Sequence, residues 1–160
     1  MEDGTVSVAY TTLKVESDER RLSTVQCATN EGGSWALSQI DARRSELLEY
    51  GFLIKSVSAD ADSSGRVHAV YHKVGVSDSS LVYATNERGS WKTEEVATSD
   101  RFGTETIVCV LCVDSQDRVH IIYHFPNELK YMVGTPTGLA NPAWTTDCGA
   151  ISQMTTRWER

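Results

Sequence analysis

No uninterrupted apolar run in this chain approaches the length of a membrane-spanning helix, so a helical membrane anchor is not expected. A secretion signal is not expected at this start either, though a secreted origin with the signal trimmed is the alternative. Met1-Glu2-Asp3-Gly4 is acidic and polar where a signal needs a basic end and an apolar stretch. Positive charge is scarce: 15 Lys and Arg stand against 22 Asp and Glu, for a net charge of −7, and the basic residues are scattered. Such a surface is repelled by phosphate backbones, which excludes nucleic acid and anionic membrane as partners. No phosphate-binding loop, nucleophile elbow or zinc signature is present, so neither a cofactor nor a metal is expected. Helix signals are nearly absent. Residues 41–50 have helix formers at a partial 3.6-residue period and read as a loop with one helical turn.

Cysteine is limited to positions 27, 109, 112 and 148. Cys109 and Cys112 have the CxxC spacing of metal and redox sites. They lie, however, within a continuous β-type run over residues 107–113. Residues three apart on a strand face opposite sides, so one ion could not reach both thiolates. Buried, apolar, free cysteines are the simpler reading, and reduced thiols fit a cytoplasmic protein.

What the sequence does contain is a repeat. Gly4-Thr5-Val6-Ser7-Val8-Ala9-Tyr10 matches Gly65-Arg66-Val67-His68-Ala69-Val70-Tyr71 and Asp117-Arg118-Val119-His120-Ile121-Ile122-Tyr123, at offsets of 61 and 52. Cys27-Ala28-Thr29-Asn30-Glu31-Gly32-Gly33-Ser34-Trp35 matches Tyr83-Ala84-Thr85-Asn86-Glu87-Arg88-Gly89-Ser90-Trp91 at an offset of 56. In the third copy Leu129-Lys130-Tyr131 stands for the strand, and Trp144 falls 53 residues after Trp91. Tandem copies with loops of variable length produce this pattern. The second copy predicts four strands, over residues 52–59, 66–72, 80–85 and 90–97, joined by turns rich in Asp, Ser, Asn and Gly.

The expected fold is therefore all-β: a β-propeller of four-stranded antiparallel blades, about three per chain. The copies span 4–41, 52–97 and 107–147 within a single domain over 1–160. The first copy begins at its second strand, and the tail 148–160 could complete a blade. An arc of three blades exposes apolar faces and strand edges at both ends. Two chains head to tail would make a six-bladed ring, so a homodimer is expected. The rival expectation is a fragment of a longer propeller.

The turns Thr29-Asn30-Glu31-Gly32-Gly33-Ser34-Trp35 and Thr85-Asn86-Glu87-Arg88-Gly89-Ser90-Trp91 resemble degenerate Asp-boxes of the bacterial neuraminidase repeat, found in sialidase-like propellers. That box runs Ser/Thr-x-Asp-x-Gly-x-Thr-Trp. Here Asn30 and Asn86 replace Asp, Gly33 and Gly89 fall one position late, and the third copy has no box. The resemblance implies a clamp for the third-to-fourth turn, and so fold rather than catalysis. The family's arginine triad and tyrosine nucleophile match no position of this chain.

Long loops carry function more often than tight turns. They are expected over residues 11–21, 41–50, 72–79, 98–106 and 124–128, on one rim. Candidate ligand contacts there are Thr11, His72, Arg101, Glu105 and His124. His72 and His124 read either as a rim acid–base or metal pair or as exposed strand ends. Thr11 replaces them in the first copy, so a symmetrical metal ring is not supported. His68 and His120, at mid-strand, read as buried imidazoles bonding between blades. Trp35, Trp91 and Trp144 could stack on sugars together with Arg66, Arg88 and Arg118. Their recurrence points instead to outer-layer packing. Glu46, Glu49, Asp100 and Glu105 are the carboxylates available for glycoside hydrolysis. The expected function is non-catalytic binding of a glycan, small molecule or protein. A sialidase-like glycoside hydrolase and a purely structural or assembly module are the alternatives.

Overall fold

The computed structural model describes residues 4–17, 20–31, 33–46, 53–74, 79–87, 89–99, 108–124, 129–135 and 143–146. They form eleven antiparallel strands in three separate sheets. The first sheet is β1 (Val6–Ser17), β2 (Arg20–Glu31) and β3 (Ser34–Glu46). The middle sheet is β4 (Leu53–Ala61), β5 (Val67–Val74), β6 (Ser79–Glu87) and β7 (Ser90–Ser99). The third comprises β8 (Cys109–Val113), β9 (Val119–His124), β10 (Leu129–Thr135) and β11 (Ala143–Thr146). Each sheet is a meander, with sequence neighbours paired. Among the described residues no helix is long and apolar enough to cross a membrane.

The sequence repeat is also a repeat of register. Ser7 pairs with Thr29, His68 with Thr85 and His120 with Val133. Asn30 faces Trp35, Asn86 faces Trp91 and Gly134 faces Trp144. Even the irregularities recur. The β2–β3 register shifts between Val25 and Gln26, and the β6–β7 register shifts at the equivalent Leu81 and Val82, which leaves Ile40 and Val96 as the extra residues.

Alternation on the strands of the middle sheet sends side chains to both neighbours. Val67, Ala69, Tyr71, Val82 and Ala84 join Val25, Cys27 and Ile40 of the first sheet in one core. Val70, Leu81 and Tyr83 join Leu111, Val119, Ile121 and Met132 of the third sheet in another. A second device ties β4 to β8. Ser58 and Asp60 on β4 accept the backbone N–H groups of Leu111 (3.0 Å) and Val113 (2.8 Å). These amides lie on the outer edge of the third sheet, where among the described residues no further strand pairs with β8, so side chains do the work of a ladder.

Three expectations need correction. Residues 41–46 are strand rather than a helical turn, and pair with 20–25. The extra residue at Ile40 breaks the period of two, which disguised the continuation. Residues 11–17 and 20–21 are strand rather than loop, because β1 and β2 pair far beyond the expected length, with Thr12 and Thr24 hydroxyls 2.6 Å apart. The two cysteines of the CxxC run are not both buried: Cys109 is, with Leu111, but Cys112 and Val110 are exposed, because among the described residues no sheet covers the outer face of the third. Cys27 and Cys109 are buried free thiols, and Cys148 lies outside the described residues.

The glycine at the β4–β5 turn has a conformational purpose. Gly4, Gly65 and Asp117 occupy the same repeat position, and all have positive φ, at 66°, 78° and 58°. A Cβ at Gly65 would meet nothing within 4 Å, so the constraint is backbone strain alone. Gly65→Ala should therefore cost about 1–2 kcal/mol in urea unfolding, and Gly65→Asn much less. Equal costs for the two would show that the strain is relieved.

Candidate functional site

Chemistry-bearing side chains concentrate at the turns between the first two strands of the full sheets. In the middle sheet Asp62 anchors the β4–β5 turn. It accepts from the Ser64 amide (3.0 Å) and hydroxyl (2.6 Å), the Arg66 amide (2.9 Å), Arg66 Nε (2.9 Å) and His68 Nε2 (3.3 Å). His68 Nδ1 lies 2.6 Å from Tyr83 Oη. Burial works to raise the Asp62 carboxyl, but the bonds from Ser64, Arg66 and His68 and the Arg66 charge outweigh it and hold the pKa at about 2. An ionised carboxylate only accepts, so Nε2 of a neutral His68 carries the proton and Nδ1 accepts from Tyr83. Burial pushes His68 below its ordinary range despite the Asp62 charge, and raises Tyr83, so both stay neutral.

The third sheet repeats the cluster. Asp114 accepts from Gln116 and Arg118 amides (both 2.9 Å), Arg118 Nε (2.6 Å) and His120 Nε2 (2.9 Å), and Tyr131 Oη lies 2.6 Å from His120 Nδ1. The His120 hydrogen bond, aided by those from Arg118 and Gln116, depresses the Asp114 carboxyl. In the first sheet Ser7 and Cys27 stand in place of the histidine and tyrosine, and Ser7 Oγ meets Thr29 Oγ1 at 3.3 Å. A tyrosine, histidine and aspartate in series have the connectivity of a nucleophile, a base and its orienting acid. In the middle sheet, though, His68 and Tyr83 are each 1% exposed. No substrate can reach that tyrosine, and an arrangement present in both sheets locks each turn to its strands.

His68 and His120 thus bond within their own sheets, not between neighbours as expected. Asp62, Asp114, Tyr83 and Tyr131 were missed. The Asp-x3-Arg-x-His spacing, repeated at an offset of 52, was the available signal.

Thr11, His72 and His124 occupy equivalent positions on three different sheets, paired with Val25, Leu81 and Leu129. Thr11 and His124 are exposed. His72 is not an exposed strand end. It is fully buried on the face covered by the third sheet, and neither ring nitrogen has a hydrogen-bond partner among the described residues. Burial, with a smaller contribution from Lys55, lowers its pKa to about 4. Arg101, Glu105, Arg88, Glu49 and Asp100 lie outside the described residues, and among those described no cluster could hold a metal ion.

Trp91 packs against the core between the first and middle sheets, and its Nε1 donates to Ser38 Oγ at 3.0 Å. Its equivalent Trp35 is exposed. Trp144 lies on β11, paired with Gly134. Asn30 and Asn86 each have a buried Oδ1 without a partner among the described residues, so no Asp-box hydrogen bond from these atoms is seen there. Gly33 and Gly89 have φ of 84° and 80° in the turns that follow.

Between the first and middle sheets, on the rim of the tight turns, lies a cleft of about 740 Å³. Thr5, Ser7, Thr29, Asn86, Asp60 and Ser64 are among the residues lining it. On the other side of the middle sheet the corresponding rim is clasped: Asp117 accepts from the Ser63 amide (2.8 Å) and hydroxyl (2.6 Å). Gly65 takes the place of Asp117 in the middle sheet and has no side chain to reach back with. At this repeat position the third sheet therefore has a clasp to its neighbour that the middle sheet has no side chain to make.

No family model matches this chain, and no curated protein matches it. Among solved structures it is similar to a fucose lectin from Kordia zhangzhouensis, determined in complex with methyl-fucoside. The identity is 15% and the TM-score 0.48, over 91% of this chain and 92% of that one.

Proposed function

We propose that this protein is a non-catalytic binding module. Its three sheets are consecutive propeller blades, a homodimer completes six, and the cleft between the first and middle sheets takes a small polar ligand of glycan type. The observation that carries this reading is the open cleft, with the hydroxyls of Thr5, Ser7 and Thr29 and the amide of Asn86 along it. Neutral hydroxyl and amide groups suit a ligand rich in hydroxyls. The carboxylates nearby favour binding over hydrolysis. Asp62 is held ionised by its partners, and Asp60 already accepts the amides of Ala61 and Val113. A glycosidase acid needs its pKa raised instead. The buried free thiols of Cys27 and Cys109 support a cytoplasmic setting.

A glycan array combined with fluorogenic glycosides tests the proposal. The expected result is binding of one glycan class without turnover, weakened at least about 10-fold by Asn86→Leu or Thr29→Val in folded protein. Turnover of a sialoside would favour the sialidase-like alternative, acting through carboxylates other than Asp62. A blank in both screens would leave a structural or assembly module.

A further inference from the structure

Given the propeller arrangement proposed above, on which this rests, we infer that the outer faces of the first and third sheets are the two halves of one head-to-tail interface, filled by a second copy of this chain. The chain already builds that type of interface twice, first sheet to middle and middle to third. Equivalent residues show what is left open at each end. Ala69 and Ile121 are 0% exposed beneath the preceding sheet, whereas their equivalent Val8 is 46% exposed. Val67 and Val119 are buried in the same way, and their equivalent Val6 is not. Trp91 packs onto the first sheet, while its equivalent Trp35 is 56% exposed. At the other end Val70 and Leu81 are 0% exposed beneath the following sheet, but Ile122 and Leu129 are 37% and 49% exposed.

The occupant follows from the side-chain ladder. In the middle sheet Ser58 and Asp60 accept the edge amides of β8. In the third sheet the equivalent residues, by their pairing with Ile122 and His120, are Val110 and Cys112. A valine accepts no hydrogen bond and a thiol only a weak one. A four-stranded neighbour placed there would bury edge amides without partners, at a cost that disfavours the contact. The first sheet, among the described residues, has no strand outside β1. It offers Val6, Val8, Trp35 and Leu37, which match an apolar surface. A second copy thus fits the third sheet where a four-stranded blade does not. The same contact occurs twice and closes two chains into a ring.

Light scattering on the intact chain tests this directly. The wild type should have twice the 17.7 kDa chain mass. Val8→Asp and Ile122→Asp should each weaken the dimer at least about 100-fold. An equimolar mixture of the two should recover dimer partly, because one intact interface is available only between unlike variants. Alkylation of Cys112 should be slow in the wild-type dimer and fast in Ile122→Asp, a readout that also shows the variant folded, since Cys109 stays protected. A wild-type monomer at every concentration would overturn the ring itself. A dimer indifferent to both substitutions would leave the dimer standing and overturn these faces.

Discussion

Asp62→Ala should be among the most damaging single substitutions in this chain, lowering stability by about 3–5 kcal/mol in urea unfolding at pH 7. The carboxylate has a side chain 1% exposed and five donors converging on it. Removing it strands the His68 Nε2 proton in a setting that water enters poorly, and takes an acceptor from the partly exposed Arg66 guanidinium and from two turn amides. Asp114→Ala removes the corresponding bonds in the third sheet, all but the hydroxyl one because Gln116 stands in place of Ser64, and there the aspartate is partly exposed and water can replace them, so its effect should be clearly smaller. The pH dependence follows the depressed folded-state pKa. The stabilisation from Asp62 is fully present above the ordinary carboxyl value of 3.8 and is lost as pH falls through about 2. Similar losses for the two alanine variants would mean that burial by the neighbouring sheets does not govern the strength of these turns.

His72→Leu should do the opposite and stabilise the protein. The wild-type ring is fully buried with both nitrogens unpartnered among the described residues, an arrangement that costs about 1–3 kcal/mol even when the ring is neutral. Leucine is apolar and of similar bulk. Acid widens the gap. His72 has a folded-state pKa of about 4 against an ordinary 6.5, so the unfolded chain takes up its proton first as pH falls. The wild type therefore loses stability between pH 6.5 and 4, by ~2 kcal/mol on reaching pH 5. The leucine variant lacks this loss, while His68 contributes equally to both proteins and cancels in the comparison. Unfolding curves of both proteins at pH 7 and pH 5 decide the matter. Parallel pH dependence would show that His72 is paired or hydrated.

These two predictions also mark how far the sequence could be read. The strands of the second copy were legible because alternation, turn residues and repetition all acted locally. The Asp-Arg-His spacing was equally visible. Its tyrosine was harder to find, since Tyr83 follows His68 by 15 residues and Tyr131 follows His120 by 11. Loop length differs between the copies, and only the strand register shows that the two tyrosines are equivalent. The bulge at Ile40 hid the end of β3 by shifting the alternation by one residue. The clasp made by Asp117 could not be read from its neighbours in sequence, because its partner Ser63 stands on another sheet.

By itself, the sequence determined the all-β class, the three copies and the opposite faces of Cys109 and Cys112. Each of these depends on residues close along the chain or on backbone periodicity. Only the tertiary structure decided which of several equivalent residues is buried. His72 and His124, Asp62 and Asp114, Ala69 and Val8 share repeat positions yet differ in exposure, because burial is set by whichever sheet stands against the face, and that sheet comes from a distant part of the chain.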